Sequence, residues 1–142
     1  MDNSETYVKM CEKAEEIQKY WIPVPNDYAI DCITITNMRN LVTVQNDAEY
    51  PFLDVQLSTE RQNEFRRRCI WLPRQDQLQE LLQQYWWADK QPLNNISLLL
   101  QKFYWWLDET CPNNQSMEQL WLSFVMSKCY QKIWNGSEWL KR

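Results

Sequence analysis

The side chains in this chain that could do chemistry are its carboxylates, arginines, cysteines and tryptophans, since none of the 142 residues is histidine. Without an imidazole, neither Ser-His-Asp nor Cys-His catalysis is available, and no metal can be bound through histidine. The single glycine, Gly136, also excludes the phosphate-binding motif GxxxxGKS/T and the dinucleotide-binding motif GxGxxG. The sequence therefore argues against the common enzymes that hydrolyse nucleotides or transfer hydride.

Two pairs of adjacent acids, Glu15 with Glu16 and Asp108 with Glu109, could in principle act as general acid and base or hold magnesium. Neighbouring residues on a helix point about 100° apart, so the two members of such a pair do not converge. We therefore expect no catalytic residue, no metal and no cofactor. A carboxylate-dependent hydrolase is kept as an alternative.

The cysteines are odd in number, widely spaced and never arranged as C-x-x-C, which favours neither a disulfide framework nor a zinc site. They are expected to be small buried hydrophobic residues in a reducing cytoplasm. These residues are Cys11, Cys32, Cys69, Cys111 and Cys129.

Arginines and tryptophans are the remaining candidates for binding. Arg66 to Arg68 form the only dense basic block, which is either a solvated helix end or a contact for an anion or a partner. The clusters Tyr85-Trp86-Trp87 and Tyr104-Trp105-Trp106 each place one Trp on a predicted core face, which leaves Trp87 and Trp105 exposed. Trp and Arg dominate many protein interfaces, and Trp also stacks on bases. The candidate binding residues are therefore Arg66, Arg67, Arg68, Arg74, Trp87 and Trp105.

The net charge of −4 is unevenly distributed, because residues 1–50 carry nine acids and four bases whereas residues 51–142 carry ten acids and eleven bases. An acidic N-terminal third argues against binding of long nucleic acid and favours a basic partner. No run of about 18 apolar residues is present, and the first twenty residues contain no continuous apolar region. We expect neither a membrane span nor a signal peptide.

The elements that would position these residues are read from apolar spacing. Residues 71–87 predict one amphipathic helix that begins at Pro73, with its buried stripe formed by Leu78, Leu81, Leu82, Tyr85 and Trp86. An earlier helix over residues 5–20 is predicted with Ser4 as its cap. Its apolar residues recur at spacings of three and four and form one stripe: Tyr7, Met10, Ala14, Ile17 and Trp21. Residues 28–57 predict a three-stranded antiparallel meander from the runs AIDCITIT, LVTVQ and FLDVQL, in which Ile33 and Ile35 share one face.

Three further helices and a turn complete the prediction. Thr59 with Gln62 predicts a short helix that ends near Arg68. Asn94 or Asn95 caps a helix from Ile96 that is predicted to be buried on two sides, because Leu98, Tyr104 and Trp105 widen its apolar stripe. The stripe consists of Ile96, Leu99, Leu100, Phe103, Trp106 and Leu107. Ser116 with Gln119 opens a helix from Met117 to about Lys132, and Asn135-Gly136 between aromatic residues predicts a hairpin. The fold class is α+β, with residues 1–142 forming a single domain.

Four stretches carry a family resemblance: Met10-Cys11-Glu12-Lys13-Ala14-Glu15-Glu16-Ile17-Gln18, Trp71-Leu72-Pro73-Arg74-Gln75-Asp76-Gln77-Leu78-Gln79, Met117-Glu118-Gln119-Leu120-Trp121-Leu122-Ser123-Phe124-Val125-Met126, and Trp134-Asn135-Gly136 with Trp139. Together they resemble small uncharacterised proteins encoded by phages and prophages of gut Firmicutes. The resemblance covers the N-terminal helix and residues 71–139 and supplies no catalytic residue. It implies a phage-related role in the cytoplasm of a bacterial host.

Three functional hypotheses follow. The leading one is a non-catalytic phage-related binding protein that engages a host or phage protein and could inhibit a host defence system. The first alternative is a protein that sequesters a nucleotide or cyclic nucleotide in a Trp-lined pocket, with Arg66 to Arg68 or Arg74 as phosphate partner. The second is the carboxylate-dependent hydrolase, which requires a concave site with converging acids.

Overall fold

The computed structural model describes residues 1–32, 40–45, 57–88, 96–110 and 115–142. For residues 86–88 it describes the backbone only. The chain divides into two compact units, an N-terminal unit of Asn3–Pro73 and a C-terminal unit of Met1–Asp2 with Arg74–Arg142. Each unit combines helices with antiparallel strands, so the predicted α+β class is confirmed. The assignment of residues 1–142 to a single domain stays a prediction.

The described residues of the N-terminal unit form three helices and a three-stranded antiparallel sheet with strand order β2-β1-β3. In the register of this sheet, Ile30 of the central strand lies opposite Leu41 on one side and Ile70 on the other. The elements are α1 (Glu5–Glu12), α2 (Glu15–Tyr20), β1 (Tyr28–Asp31), β2 (Asn40–Thr43), α3 (Thr59–Arg68) and β3 (Cys69–Leu72).

The predicted helix over residues 5–20 is wrong in one respect, because it is broken into α1 and α2. Ser4 caps α1 as predicted, its Oγ accepting the backbone N–H of Tyr7 at 3.2 Å. Ala14 leaves the helical region at ψ 62°, and its N–H bonds to the carbonyl of Cys11 in a tighter turn. The break does not expose the apolar stripe, because all five of its residues are buried: Tyr7, Met10, Ala14, Ile17 and Trp21.

One strand of the described sheet was not predicted. β3, Cys69–Leu72, pairs with β1 on the side away from β2. The predicted run FLDVQL stays a prediction over residues 52–56, which lie outside the described residues, as do Ile33 and Ile35. Trp71 and Leu72, which precede the predicted helix start at Pro73, are extended and buried in this strand. Backbone pairing with β1 fixes their conformation up to Leu72.

Gln18 closes the free edge of β3. Its side-chain amide accepts the backbone N–H of Trp71 at 3.0 Å and donates to the Trp71 carbonyl at 3.0 Å. The same amide nitrogen donates to the Cys11 carbonyl at 3.1 Å, which lies at the break between α1 and α2. One side chain thus satisfies backbone groups at both the break and the exposed strand edge.

The C-terminal unit is built on three helices and a two-stranded hairpin. The first helix begins at Gln75 rather than at the predicted Pro73, and the side-chain Oε1 of Gln77 accepts the N–H of Arg74 at 2.9 Å. This contact forms half of a capping box. The elements are α4 (Gln75–Ala88), α5 (Ile96–Thr110), α6 (Met117–Tyr130), β4 (Lys132–Trp134) and β5 (Trp139–Lys141).

The core of the C-terminal unit is aromatic. Phe103 of α5 stacks on Trp121 of α6, with ring centroids 4.0 Å apart and planes 7° apart. Phe124 packs edge-on against Phe103, with ring centroids 5.3 Å apart. Leu78 and Leu82 of α4 are fully buried, whereas Tyr85, predicted to be inward, is 45% exposed. Tyr85 therefore departs from the predicted stripe of α4, and Trp86 lies outside the described side chains.

Both ends of α6 are defined by specific contacts. The Oγ of Ser116 accepts the backbone N–H of Gln119, which confirms the predicted cap. The side-chain amide of Gln119 also donates to a carboxylate oxygen of Asp2 at 2.7 Å. Gln131 ends the helix in the left-handed region at φ 55°.

The predicted C-terminal hairpin is confirmed, with a four-residue loop between its strands. The side-chain oxygen of Asn135 accepts the N–H groups of Ser137 at 2.8 Å and Glu138 at 2.9 Å. Only Gly136, at φ +99°, adopts the positive φ expected for both turn residues. Among the described helices, none is both long and apolar enough to cross a membrane.

Candidate functional site

The predicted basic block lies in the last turn of α3, as expected for cations that suit the helix dipole. Its first two members contact backbone carbonyls within the N-terminal unit. A guanidinium nitrogen of Arg66 donates to the carbonyl of Lys19 at 2.7 Å, and Nε of Arg67 donates to the carbonyl of Asn63 at 3.2 Å. Arg66 thus ties α3 to the C-terminal end of α2.

Arg68 is committed to an ion-pair network. Its guanidinium lies 2.7 Å from a carboxylate oxygen of Asp31 on β1 and 3.1 Å from one of Glu64 on α3. The hydrogen bond to Asp31, followed by that to Glu64, raises the pKa of Arg68 above its ordinary value. This arrangement joins α3 to the sheet and makes Arg68 a structural residue.

A cleft of about 710 Å³ lies between the first two helices and α3. It brings Arg66 and Arg67 together with acidic side chains, so its surface carries both signs of charge. Three carboxylates and three cations line it, namely Glu12, Glu15, Glu60, Lys19, Arg66 and Arg67, together with Gln18 and Asn63. Such a surface suits a charged protein segment better than a phosphate, because acids oppose the arginines.

Carboxylates do gather in this cleft, as the hydrolase alternative requires. In the part of the chain that the structure describes, no group of three or more acidic or cysteine side chains is placed to hold a metal ion. The pairs of adjacent acids singled out from the sequence contribute one member, Glu15, to the cleft.

Arg74 belongs to the C-terminal unit and contacts the first turn of α4. Its Nε lies 3.1 Å from a carboxylate oxygen of Asp76. Burial acts to raise the pKa of Asp76, but hydrogen bonding and charge from Arg74, with backbone N–H groups, lower it below its ordinary value. The pair stabilises the start of the helix, and its exposure limits its contribution.

The tryptophan candidates both lie in the C-terminal unit. Trp105 is 55% exposed, as predicted from its position off the core stripe of α5. Trp87 lies within α4, but its side chain is outside the described ones, so its predicted exposure stays a prediction.

The predicted burial of α5 on two sides is wrong. Its buried residues, Leu99, Phe103 and Trp106, follow a single stripe with spacings of three and four. Ile96 and Leu100, predicted to lie on the buried stripe, are exposed, and Leu107 is half-buried. Five large apolar side chains of the helix are 39% to 67% exposed, and we call them the α5 surface: Ile96, Leu98, Leu100, Tyr104 and Trp105. The sequence shows that these residues are apolar, but it does not show whether a second element covers them.

A smaller cavity of about 370 Å³ lies between α5, α6 and the C-terminal hairpin, and we call it the hairpin cavity. Three residues that line it have a buried side-chain polar atom with no hydrogen-bond partner among the described residues. These atoms are Nε1 of Trp106, Oε1 of Gln115 and Oγ of Ser123. Sequence reasoning missed this site, because its lining is drawn from elements that carry no shared motif.

The described cysteines are free thiols. Burial raises the pKa of Cys129 to about 12, and burial with the charge of Asp31 raises that of Cys69 to about 11. Both thiols are therefore protonated and unreactive at neutral pH. Only Cys11 of the described cysteines is buried as predicted, since Cys69 and Cys129 are half-buried and Cys32 is exposed. Cys111 lies outside the described residues.

The six predicted site residues thus fall into two groups, with Arg66 to Arg68 in the N-terminal unit and Arg74, Trp87 and Trp105 in the C-terminal unit. Comparison with known proteins found no matching family, curated protein or solved structure.

Proposed function

We propose that this protein is a non-catalytic binding protein that engages another protein through the α5 surface. The observation that carries the proposal is the exposure of five large apolar side chains along one 15-residue helix. Exposed apolar residues scattered singly are ordinary, whereas a group on one element is typical of an interaction site.

The geometry of the α5 surface suits a protein interface. Ile96, Leu100 and Tyr104 recur every four residues, so they form one line along the helix. Leu98 and Trp105, seven residues apart, form a second line about 100° further around the helix from Tyr104. Trp105 adds the side-chain type most often found at interface hot spots. The buried stripe on the other side of α5 holds the helix in place, so the surface is presented without prior folding.

The proposed partner is a host protein in the bacterial cytoplasm. This part rests on the resemblance to phage-encoded proteins, since small accessory phage proteins often act on host factors. Inhibition of a defence system is the consequence that we propose for such binding. The mixed-charge cleft of the N-terminal unit could add a second, polar contact.

The test is a pull-down from host lysate with three baits: the unchanged protein, Trp105→Ser and Tyr20→Ser. Tyr20 is a matched control because it is 71% exposed and lies near other exposed apolar residues, Ile22 and Val24, in the N-terminal unit. The recovered protein is then purified and titrated against each variant.

We expect Trp105→Ser to weaken binding at least tenfold, the effect of losing a hot-spot aromatic residue, and Tyr20→Ser to leave binding unchanged. Failure to recover a specific partner at micromolar bait would count against the proposal. Equal binding by all three baits would show that the partner does not bind through the α5 surface.

A further inference from the structure

We propose that the hairpin cavity is a binding site for a small anionic molecule that carries a planar ring. The site is separate from the α5 surface, so it adds a ligand to the protein-binding role and does not depend on that role.

The first observation is the set of polar atoms at the cavity without partners. A buried hydrogen-bonding group that is left unpaired costs free energy, so native proteins rarely retain several close together. Trp106, Gln115 and Ser123 each have such an atom, and each also lines the cavity. Trp106 is only 5% exposed, so its indole N–H depends on a partner within the protein or on a ligand.

These polar groups favour an acceptor-rich ligand. The indole N–H of Trp106 can only donate, and the hydroxyl of Ser123 can do so as well. Ser127, which also lines the cavity, adds a second hydroxyl. Oε1 of Gln115 supplies an acceptor for a ring N–H or a hydroxyl.

The charges at the cavity point to an anion. Lys132 at the start of β4 and Arg142 both line it, against one acid, Glu109 of α5. The guanidinium of an arginine matches carboxylate and phosphate oxygens, which it can bind with two parallel hydrogen bonds.

The walls of the cavity favour a ring. Trp106 and Trp134 provide aromatic surface, and Ile133 provides aliphatic surface. Trp134 is supported by Trp139 across the hairpin, with ring centroids 5.0 Å apart. A volume near 370 Å³ is at the lower end for ligand pockets, so a single ring system with one anionic group fits better than a peptide.

Two sources share this chemistry, namely nucleoside monophosphates and aromatic carboxylates. The experiment measures thermal unfolding and calorimetric titration of the full chain with adenosine, guanosine and uridine 5′-monophosphates in one arm. Indole-3-carboxylate and benzoate form the second arm. Adenosine and inorganic phosphate test whether the ring or the anion alone is enough.

We expect one arm to raise the unfolding temperature at millimolar ligand, because a ligand that binds only the folded state stabilises it. Adenosine and inorganic phosphate should each give a smaller shift. A shift from inorganic phosphate as large as that from the best ligand would overturn the role of the ring.

Two variants locate the site. Arg142→Gln should weaken the affinity for the best ligand at least fivefold. Its matched control, Lys141→Gln, removes an exposed cation outside the lining and should leave the affinity unchanged. Ser123→Ala should weaken binding while leaving the unliganded protein as stable as before or more so, since it removes an unpaired buried hydroxyl.

The absence of a shift with every member of both arms would overturn the proposal. So would binding that Arg142→Gln and Ser123→Ala leave unchanged. Neither outcome bears on the proposed protein binding through the α5 surface. The pull-down compares substitutions at Trp105 and Tyr20, and neither residue lines the hairpin cavity.

Discussion

The two units of this protein use their polar and aromatic side chains in different ways. In the N-terminal unit, polar side chains bind the unit's own backbone and acids: Gln18 pairs with Trp71, Arg66 with the Lys19 carbonyl, and Arg68 with Asp31. The indole N–H of Trp21 likewise donates to the buried Asp27. Aromatic stacking occurs in both units, between Trp21 and Trp71 in the first and between Phe103 and Trp121 in the second. The C-terminal unit differs because it has the α5 surface and because several buried polar atoms without a hydrogen-bond partner among the described residues belong to one cavity.

The comparison teaches that residue type alone is a poor guide to function in this chain. Arg66 and Arg68 were predicted from the sequence as binding residues, yet their contacts hold elements of one unit together. The C-terminal unit has the features that a ligand or partner would complete. We therefore place the candidate function there.

The largest effect is expected from the aromatic core of the C-terminal unit. Phe103→Ala removes the ring that stacks on Trp121, and we expect it to lower the free energy of unfolding by about 3–5 kcal/mol. The neighbouring Tyr104→Ala should change it by less than about 0.5 kcal/mol, because Tyr104 is exposed. Urea unfolding measures both, and equal losses would contradict the assignment of α5 as buried on one side.

The polar contacts of the N-terminal unit should give an intermediate effect. Gln18→Ala leaves the Trp71 backbone groups and the Cys11 carbonyl without this partner, so we expect a loss of about 1–3 kcal/mol. Gln101→Ala, on an exposed face of α5, is the control and should be near neutral. Hydrogen exchange at Trp71 should also accelerate in the Gln18 variant, and unchanged protection there would refute the edge-closing role.

Elements defined by local signals were predicted well. Ser116 caps α6 and Asn135-Gly136 forms the hairpin loop, because both depend on residues within three positions of each other. The strand Cys69–Leu72 was missed because its conformation depends on pairing with Tyr28–Asp31, about 40 residues earlier. The break at Ala14 was missed for a similar reason, since neither glycine nor proline marks it.

The site was predicted only in part. The exposure of Trp105 follows from helical spacing, so it could be predicted from the sequence. Which acid meets Arg68, and which residues surround the hairpin cavity, depends on tertiary packing and has no local signal.

A smaller effect of opposite sign is expected at the end of α6. Gln131 occupies the left-handed region, which disfavours residues with a Cβ, so Gln131→Gly should stabilise the protein by up to about 1 kcal/mol. Gln101→Gly, in the interior of α5, should destabilise it by about 1 kcal/mol. The same sign for both substitutions in thermal unfolding would contradict this conformation of Gln131.

The smallest effect is expected at the start of α4. Because the folded-state pKa of Asp76 is lowered, its contribution to stability is present above its ordinary pKa, near 3.9, and is lost as the pH falls through the lowered value. The stability difference between the unchanged protein and Asp76→Asn should therefore be constant from pH 5 to 8 and shrink below about pH 4. If this stability difference grew as the pH falls, the predicted stabilising interaction between Arg74 and Asp76 would be contradicted.

The central claim, that the protein acts by binding a protein through the α5 surface, is tested most directly by photo-crosslinking in host lysate. A photoreactive benzoylphenylalanine is placed at position 105 in one sample and at position 20 in another. We predict a single cross-linked product of discrete mass from position 105, lost on competition with excess unlabelled protein, and none from position 20. Products of the same mass from both positions, or none from position 105, would contradict the claim.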